Sequence, residues 1–206
     1  MVYSDAHRQE LEQLLAVSIG PACHELRSPL AVVYGFSRML EVSEQADPAH
    51  IQHILQGSSR LDELLDQLAT MGRIAACRTV PDVRDHAFDP ILADVVADTR
   101  AGERLSVAGA CEQLVHVDRD WTIAAIAEAI DGLCYDPEMR VQVSPQAVSG
   151  GVRLVFTVDG SLPLPERGVG HSSLRIALSR MRVMAMGGAL HERDFGLEMD
   201  LPSRSG

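Results

Sequence analysis

Two apolar-periodic segments separated by one polar break constrain the fold of this chain more than any other feature. Over residues 4–40 the apolar residues fall at helical spacing, and over residues 51–71 they recur at intervals of three, four and seven. Such spacing places apolar side chains along one face of a helix. The break contains Asp47-Pro48, a turn that also suits a helix start. The sequence therefore predicts two amphipathic helices that form an antiparallel hairpin.

Two prolines interrupt the first of these segments. A proline inside a helix removes one backbone hydrogen bond and kinks the helix axis. We therefore expect Gly20-Pro21 to end a short leading helix, so that the main helix begins at Pro21 as its first residue. Pro29 is expected to bend that main helix.

The apolar faces of the two helices also predict an oligomeric state. One hairpin cannot close a hydrophobic core alone, whereas two copies packed as a four-helix bundle can. We therefore expect a homodimer.

Beyond residue 75 the pattern changes from long helices to mixed helices and strands. An irregular, charged stretch over residues 73–89 comes first. Helices are then predicted over 90–99, 121–133 and 172–186, and strands over 105–107, 114–117, 141–148, 152–158 and 195–201. The predicted fold class is α+β, with a helical hairpin over residues 1–75, a linker over 76–88 and an α/β domain over 89–206.

Composition narrows the classes of partner and compartment. The formal charge of −11 argues against nucleic acid or an anionic membrane as a partner. Apolar runs stay far below the roughly 18 residues that a membrane span needs, and the N-terminus has no signal-peptide pattern, so we expect a cytoplasmic protein. The four cysteines form no CxxC pair, so neither a disulfide nor a metal is expected. All basic residues are arginines, so no lysine can hold a nucleotide phosphate.

One run inside the first helical segment carries several reactive groups. It reads His24-Glu25-Leu26-Arg27-Ser28-Pro29-Leu30. Residues four apart lie one above the other on a helix, so His24 and Ser28 share a face. An exposed histidine beside a carboxylate is a reasonable nucleophile for phosphoryl groups.

This run resembles the phosphoacceptor box of two-component sensor histidine kinases, H-E-L-R-T-P-L, and six of its seven residues match. The resemblance implies that His24 accepts the phosphoryl group and that Glu25 orients or deprotonates the imidazole. Ser28 stands where a residue of the family's phosphatases positions a hydrolytic water.

The same resemblance implies response-regulator receiver domains as partners. Arg27 is expected to pair with a receiver carboxylate. Ala31, Val32 and Gly35 continue the face of His24 and are small enough to let a receiver helix dock.

The element order of the second half resembles the ATP-binding domain of histidine kinases, the Bergerat-type α/β sandwich of the GHKL superfamily. The family's asparagine box falls on residues 127–137, where Ala127 and Asp131 replace the two asparagines and Cys134 replaces a lysine. Asp131 remains a weak candidate for metal binding. Asp159 stands at the aspartate that meets the adenine amino group in the family, and is a second weak cofactor-binding candidate.

The glycines that let backbone N–H groups approach the phosphates in the family are replaced by His171, Ser173 and Arg175. The sequence therefore predicts a phosphotransfer protein that passes phosphate between His24 and receiver aspartates, with ATP binding lost and no cofactor. An active, divergent histidine kinase, which would need ATP and magnesium, is the first alternative. A non-enzymatic dimeric scaffold that binds a response regulator is the second.

Overall fold

The computed structural model describes residues 4–43, 47–98, 105–134, 138–159, 174–193 and 196–204, without the side chains of Asp98 and Asp159. The helices of this part of the chain are α1 (Asp5–Val42), α2 (Pro48–Ala75), α3 (Phe88–Asp98), α4 (Arg119–Leu133) and α5 (Leu174–Ala185). Its strands are β1 (Arg84–Ala87), β2 (Leu105–Val107), β3 (Leu114–Val117), β4 (Arg140–Val148), β5 (Gly151–Asp159), β6 (Ala189–Arg193) and β7 (Gly196–Pro202). The predicted order of a helical hairpin followed by a mixed α/β domain is confirmed.

Both helices of the hairpin begin at a side-chain cap. The hydroxyl of Ser4 accepts a hydrogen bond from the backbone N–H of His7 at the start of α1. At the start of α2, Oδ1 of Asp47 accepts a hydrogen bond of 2.9 Å from the backbone N–H of Ala49, and Pro48 is the first helical residue. The helix start predicted at Asp47-Pro48 is thus confirmed.

The predicted break at Gly20-Pro21 is wrong, because α1 continues through both Pro21 and Pro29. The neighbouring residue Ala22 is buried in the cluster that α1 shares with α2 and α5. Pro29 is buried as well. Burial of Ala22 and of Pro29 itself therefore stabilises the helix despite the missing backbone donors.

The helices of the hairpin approach each other closely where Gly57 faces Pro29. A Cβ atom on Gly57 would lie 2.8 Å from Cγ2 of Val33 and 3.2 Å from the carbonyl oxygen of Pro29. Only a residue without a side chain fits this contact. The residues one turn away on each helix therefore line a shared space beside it.

The α/β domain is built on a five-stranded sheet in the order β2-β4-β5-β7-β6, and β1 and β3 form a separate antiparallel pair. Only the β2–β4 pairing of the larger sheet is parallel. Alternate residues of the central strands are buried against α3 and α4. They include Val141, Val143, Leu154, Phe156 and Met199. This alternation is the period of two that predicted the β4–β5 hairpin.

A second cluster joins the hairpin to the α/β domain. It contains hairpin residues and one face of α5, all buried: Leu11, Ala22, Leu64, Met71, Ile74, Ala75, Leu174, Ala177, Leu178, Met181 and Ala185. The α5 helix therefore packs against α1 and α2 as well as against its own domain. Trp121 of α4 is partly buried against both clusters, and the guanidinium of Arg182 lies 5.5 Å from its ring centre.

Two strands were missed by the sequence patterns. The stretch predicted to be irregular contains β1, which pairs with β3 from Arg84 opposite Val117 to Ala87 opposite Leu114. The β6 strand follows directly after Gly187-Gly188 and pairs with β7. Both strands are rich in charged residues, so neither shows the alternation of apolar and polar residues by which strands are predicted. Within the described ranges, no helix is both long enough and apolar enough to cross a membrane.

Candidate functional site

The reactive residues of the heptapeptide lie in an open groove between α1 and α2. The groove has a volume of about 610 Å³, and the Pro29–Gly57 contact forms part of its wall. Its polar lining comes from both helices: His24, Glu25 and Ser28 from α1, and His53, Gln56 and Arg60 from α2. His24 and Ser28 are exposed, so an incoming group can reach both.

Glu25 is held more firmly than its exposed neighbours. Its Oε1 accepts a hydrogen bond of 2.7 Å from the backbone N–H of Leu174, the first residue of α5. The N-terminal N–H groups of a helix have no intrahelical partner and carry a partial positive charge, so a carboxylate is stabilised there. The residue next to His24 therefore links the hairpin directly to the α/β domain.

A chain of ion pairs extends this link. Arg60 on α2 lies 3.8 Å from Oε2 of Glu25 and donates to Oε2 of Glu63 at 3.0 Å. The same oxygen of Glu63 accepts from Arg175 of α5 at 3.1 Å, and Arg175 also donates to Asp131 of α4 at 2.6 Å. We call these five residues the junction network.

The predicted partner-binding residues lie along α1. Val32 lines the groove. Arg27, Ala31 and Gly35 are exposed at positions outside the groove lining, and a Cβ atom on Gly35 would meet nothing within 4 Å. The face is open, as a docking surface for a receiver helix requires, and its use by a partner stays a prediction.

The predicted cofactor residues have different surroundings. Asp131 is engaged by Arg175, and the side chain of Ala127 on α4 has no atom that can bind a metal. The backbone of Asp159 ends β5 opposite Arg140, and its side chain lies outside the described residues, as do His171 and Ser173.

A second ion pair lies next to the junction network. Nε of Arg182 donates to Glu128 at 3.1 Å, and both side chains are only 16% exposed. Burial raises the pKa of Glu128 to about 7, although Arg182 acts in the opposite direction. The α4–α5 face of the α/β domain thus holds its charged groups in contact with one another.

Sequence reasoning missed the residues that α2 and α5 contribute to the site. Arg60, Glu63 and the N–H of Leu174 belong to no motif. Counting equal distances from the Asp47-Pro48 turn places Arg60 opposite Gly35, so the length of the hairpin alone does not bring Arg60 to Glu25. The register that does so is set by the contact of Gly57 with Pro29 and Val33.

The helical hairpin that exposes a histidine in a groove, joined through α5 to a mixed five-stranded α/β domain, is a fold shared with solved histidine kinase structures. Acinetobacter baumannii histidine kinase AdeS superposes with a TM-score of 0.63 at 16% identity, covering 88% of this chain and 98% of that chain. Histidine kinase ThkA, solved in complex with response regulator protein TrrA, gives a TM-score of 0.67 at 15% identity. The superposition covers 94% of this chain and 63% of that chain.

Sequence comparison identifies the phosphoacceptor segment more closely. Residues 21–77 match the His Kinase A (phospho-acceptor) domain. The phosphate regulon sensor protein PhoR of Pseudomonas aeruginosa is 29% identical over 106 residues, which cover 49% of this chain and 24% of PhoR. The match therefore spans about a quarter of the length of this curated relative. The predicted resemblance to a two-component histidine kinase core is confirmed.

Proposed function

We propose that this protein is a histidine phosphotransfer protein of two-component signalling, which carries phosphate between His24 and receiver-domain aspartates without using ATP. The observation that carries the proposal is the position of Arg175. Its guanidinium lies between Asp131 and Glu63, where the sequence resemblance expects a nucleotide site with glycines and asparagines. His24, by contrast, is exposed in an open groove.

The described residues do not fit a magnesium–nucleotide complex. The side chain of Ala127 has no ligand atom, and the carboxylate of Asp131 is already paired with a cation inside the protein. Displacing Arg175 would leave the carboxylates of both Asp131 and Glu63 without this guanidinium, which costs free energy. These contacts support loss of ATP chemistry, and no step of the proposed reaction uses ATP.

The proposed reaction takes place between His24 and an aspartyl phosphate held in a receiver domain. The neutral imidazole attacks phosphorus, a P–N bond forms, and the P–O bond to the aspartate breaks, leaving a free carboxylate. The remaining imidazole proton passes to solvent or to Glu25, which also fixes the position of the α1 backbone through Leu174. The receiver supplies most of the electrostatic stabilisation of the transferring group. Transfer to a second receiver is the same reaction in reverse.

The hydroxyl of Ser28 suggests a second reaction at the same site, hydrolysis of the phosphate on the receiver. Its hydroxyl lies one helical turn from His24 in the same groove, where it can hydrogen-bond a water molecule. We propose weak hydrolysis of receiver phosphate as a side activity. Ser28→Ala should remove that hydrolysis and leave transfer to His24 in place, as measured by the lifetime of the labelled receiver.

The experiment that tests transfer uses the purified full chain and receiver domains labelled with radioactive acetyl phosphate. Label should move from the receiver to wild-type protein and to the control variant His191→Gln, which alters an exposed histidine on β6. No label should reach His24→Ala. If the wild type takes no label from any receiver of the source organism, the transfer proposal is wrong, and the scaffold alternative gains support if a receiver still binds.

An active histidine kinase is the second candidate function. It is favoured by the similarity to PhoR and by the fold shared with AdeS and ThkA, which are all sensor or kinase proteins. Incubation of the full chain with γ-labelled ATP and magnesium separates the two candidates. Acid-labile label on wild type but not on His24→Ala would establish the kinase and overturn the ATP-independent proposal.

We further propose that the working form is a homodimer. Most exposed large apolar side chains among the described residues lie on α1 and α2, including Leu30, Tyr34, Ile51, Leu55 and Leu65. Leu55 is 64% exposed and Tyr34 is 66% exposed in the single chain. A second hairpin would bury this surface in a four-helix bundle. Sedimentation equilibrium should give a dimer for the wild type and a monomer for Leu55→Glu, and an unchanged mass for Leu55→Glu would count against this interface.

A further inference from the structure

We propose that Arg60 binds the phosphoryl group carried by His24 and is thus a catalytic residue of the transfer reaction. This inference rests on the proposed function, since it requires a phosphoryl group at His24. Arg60 lies on α2, outside the heptapeptide.

The hairpin geometry places Arg60 beside the phosphoacceptor. The close contact at Gly57 fixes the two helices at van der Waals distance, and Arg60 follows Gly57 by one helical turn. Because the helices are antiparallel, this turn of α2 faces the turn of α1 that carries His24 and Glu25. This register explains why Arg60 lies 3.8 Å from Glu25. It also explains why His24 and Arg60 both line the groove.

The charges in the groove explain why a cation is needed there. A phosphoryl group brings up to about two negative charges, and it would arrive next to the carboxylate of Glu25. Like charges at that distance repel. Arg60 contributes the guanidinium of the groove lining, and its planar array of N–H donors matches the geometry of phosphoryl oxygens. Its side chain is 38% exposed, so it can turn toward the groove.

The junction network lets Arg60 change partners at low cost. At present Arg60 donates to Oε2 of Glu63, and that same oxygen also accepts from Arg175. When Arg60 moves to a phosphoryl group, Glu63 keeps the guanidinium of Arg175. Asp131 also stays paired with Arg175, and Glu25, whose contact with Arg60 is a longer 3.8 Å, keeps the hydrogen bond from the backbone N–H of Leu174. A lone surface pair would lack this property, because one of its members would lose its only partner.

The test uses phosphoramidate, a small phosphoryl donor that needs no docking surface. In the labelling reaction the P–N bond of phosphoramidate breaks, ammonia leaves, a P–N bond forms on His24, and the imidazole proton passes to solvent. We expect the labelling rate of the full-length Arg60→Gln variant to fall about tenfold, the size of one lost charge-assisted hydrogen bond in the transition state. Arg60→Lys, which keeps the charge but not the planar donors, should give an intermediate rate.

The matched control is Arg38→Gln. Arg38 also pairs with a glutamate three residues further along the same hairpin, Glu41, but lies outside the groove lining. Its labelling rate should stay within about twofold of wild type. Circular dichroism of each variant checks that the helices are intact.

The deciding measurement is the ³¹P chemical shift of phosphorylated His24 as a function of pH. A guanidinium in contact favours the fully ionised phosphoryl group, so its titration midpoint should lie lower in wild type and Arg38→Gln than in Arg60→Gln. The other titratable and charged groups around this position, Glu25, His53, Glu63 and Arg175, remain in every variant. Equal midpoints in wild type and Arg60→Gln would overturn the proposal. A wild type that takes no label at all would instead refute His24 as the acceptor, which is the proposed function itself.

Discussion

In the hairpin, His24 and Ser28 are exposed in an open groove, whereas in the α/β domain the charged residues of α4 and α5 are partly buried and paired with one another. Arg175 binds Asp131, and Arg182 binds Glu128. The first region leaves its reactive groups accessible to a partner. The second uses its polar groups to hold helices together. The comparison teaches that a domain can keep a fold while its charged residues serve internal contacts, so function has to be argued from the side chains of each region separately.

The largest expected effect is on the stability of the α/β domain, and it should leave the chemistry of the hairpin unchanged. Phe156 is fully buried in the sheet core, so Phe156→Ala should lower the free energy of unfolding by about 3–5 kcal/mol. Leu114→Ala, in the same domain but at a side chain 60% exposed, should change it by less than about 0.5 kcal/mol. Urea denaturation followed by circular dichroism measures both. Below its unfolding midpoint, Phe156→Ala should still accept phosphate at His24; loss of acceptance by a folded variant would show that the two regions are not separable.

The second prediction concerns the buried charge pair. Burial holds the proton on Glu128 in the folded chain up to about pH 7, whereas an unfolded glutamate releases it near 4.5. The folded state then binds more protons over that interval, so the free energy of unfolding falls as pH rises from about 4.5 to about 7 and is level above it. The expected loss is about 3 kcal/mol.

Glu128→Gln should remove this slope, because the amide does not titrate. Asp200 should show the opposite dependence of stability on pH, because hydrogen bonds from Arg153 lower its pKa. Its contribution to stability is present above about pH 4 and is lost as the pH falls below its ordinary value of 3.8. Chemical denaturation at a series of pH values tests both residues, and an unchanged slope between pH 4.5 and 7 in Glu128→Gln would contradict the first.

The third prediction addresses the contact between the two regions. Arg175→Ala removes the cation shared by Asp131 and Glu63, and both carboxylates are only partly exposed. The free energy of unfolding should fall by about 1–2 kcal/mol. Arg193→Ala is the matched control, because its pair with Glu198 lies at the surface and should contribute less than about 1 kcal/mol. Equal losses in the two variants would mean that the junction network is no stronger than a surface pair.

The smallest expected effect lies at the helix terminus that Glu25 caps. Glu25→Gln keeps an oxygen that can accept from Leu174 but removes the negative charge at the start of α5. The free energy of unfolding should fall by about 0.3–1 kcal/mol at low salt, and by less at high salt. Glu10→Gln, on an exposed turn of α1, is the control. A loss that does not depend on salt would argue against the helix-terminus explanation.

Much of the fold could be predicted because its signals are local. Asp47-Pro48 predicted the start of α2, and alternating residues around Gly150-Gly151 predicted the β4–β5 hairpin, because caps and turns depend on a few neighbouring residues. The signals failed where tertiary contacts decide. The β1 strand reads as a charged stretch and becomes a strand by pairing with β3. The α1 helix continues through Pro21, and the next residue, Ala22, is buried in the cluster shared with α2 and α5.

The residues of the candidate site also fall into two groups, those that are close in the sequence and those that only tertiary contacts bring together. His24, Glu25 and Ser28 lie on consecutive turns of one helix, so their spacing in the sequence brought them together. Arg60 and Arg175 join them only through the register of the hairpin and the docking of α5, which pair residues far apart in the chain. No motif of contiguous residues contains that information.

Trp121 has a practical consequence. It is the only tryptophan of the chain, and it touches both hydrophobic clusters beneath the cation of Arg182. Its intrinsic fluorescence therefore senses the boundary between hairpin and α/β domain without any added dye. A shift in its emission on mixing with a receiver would report separation of the two regions in real time.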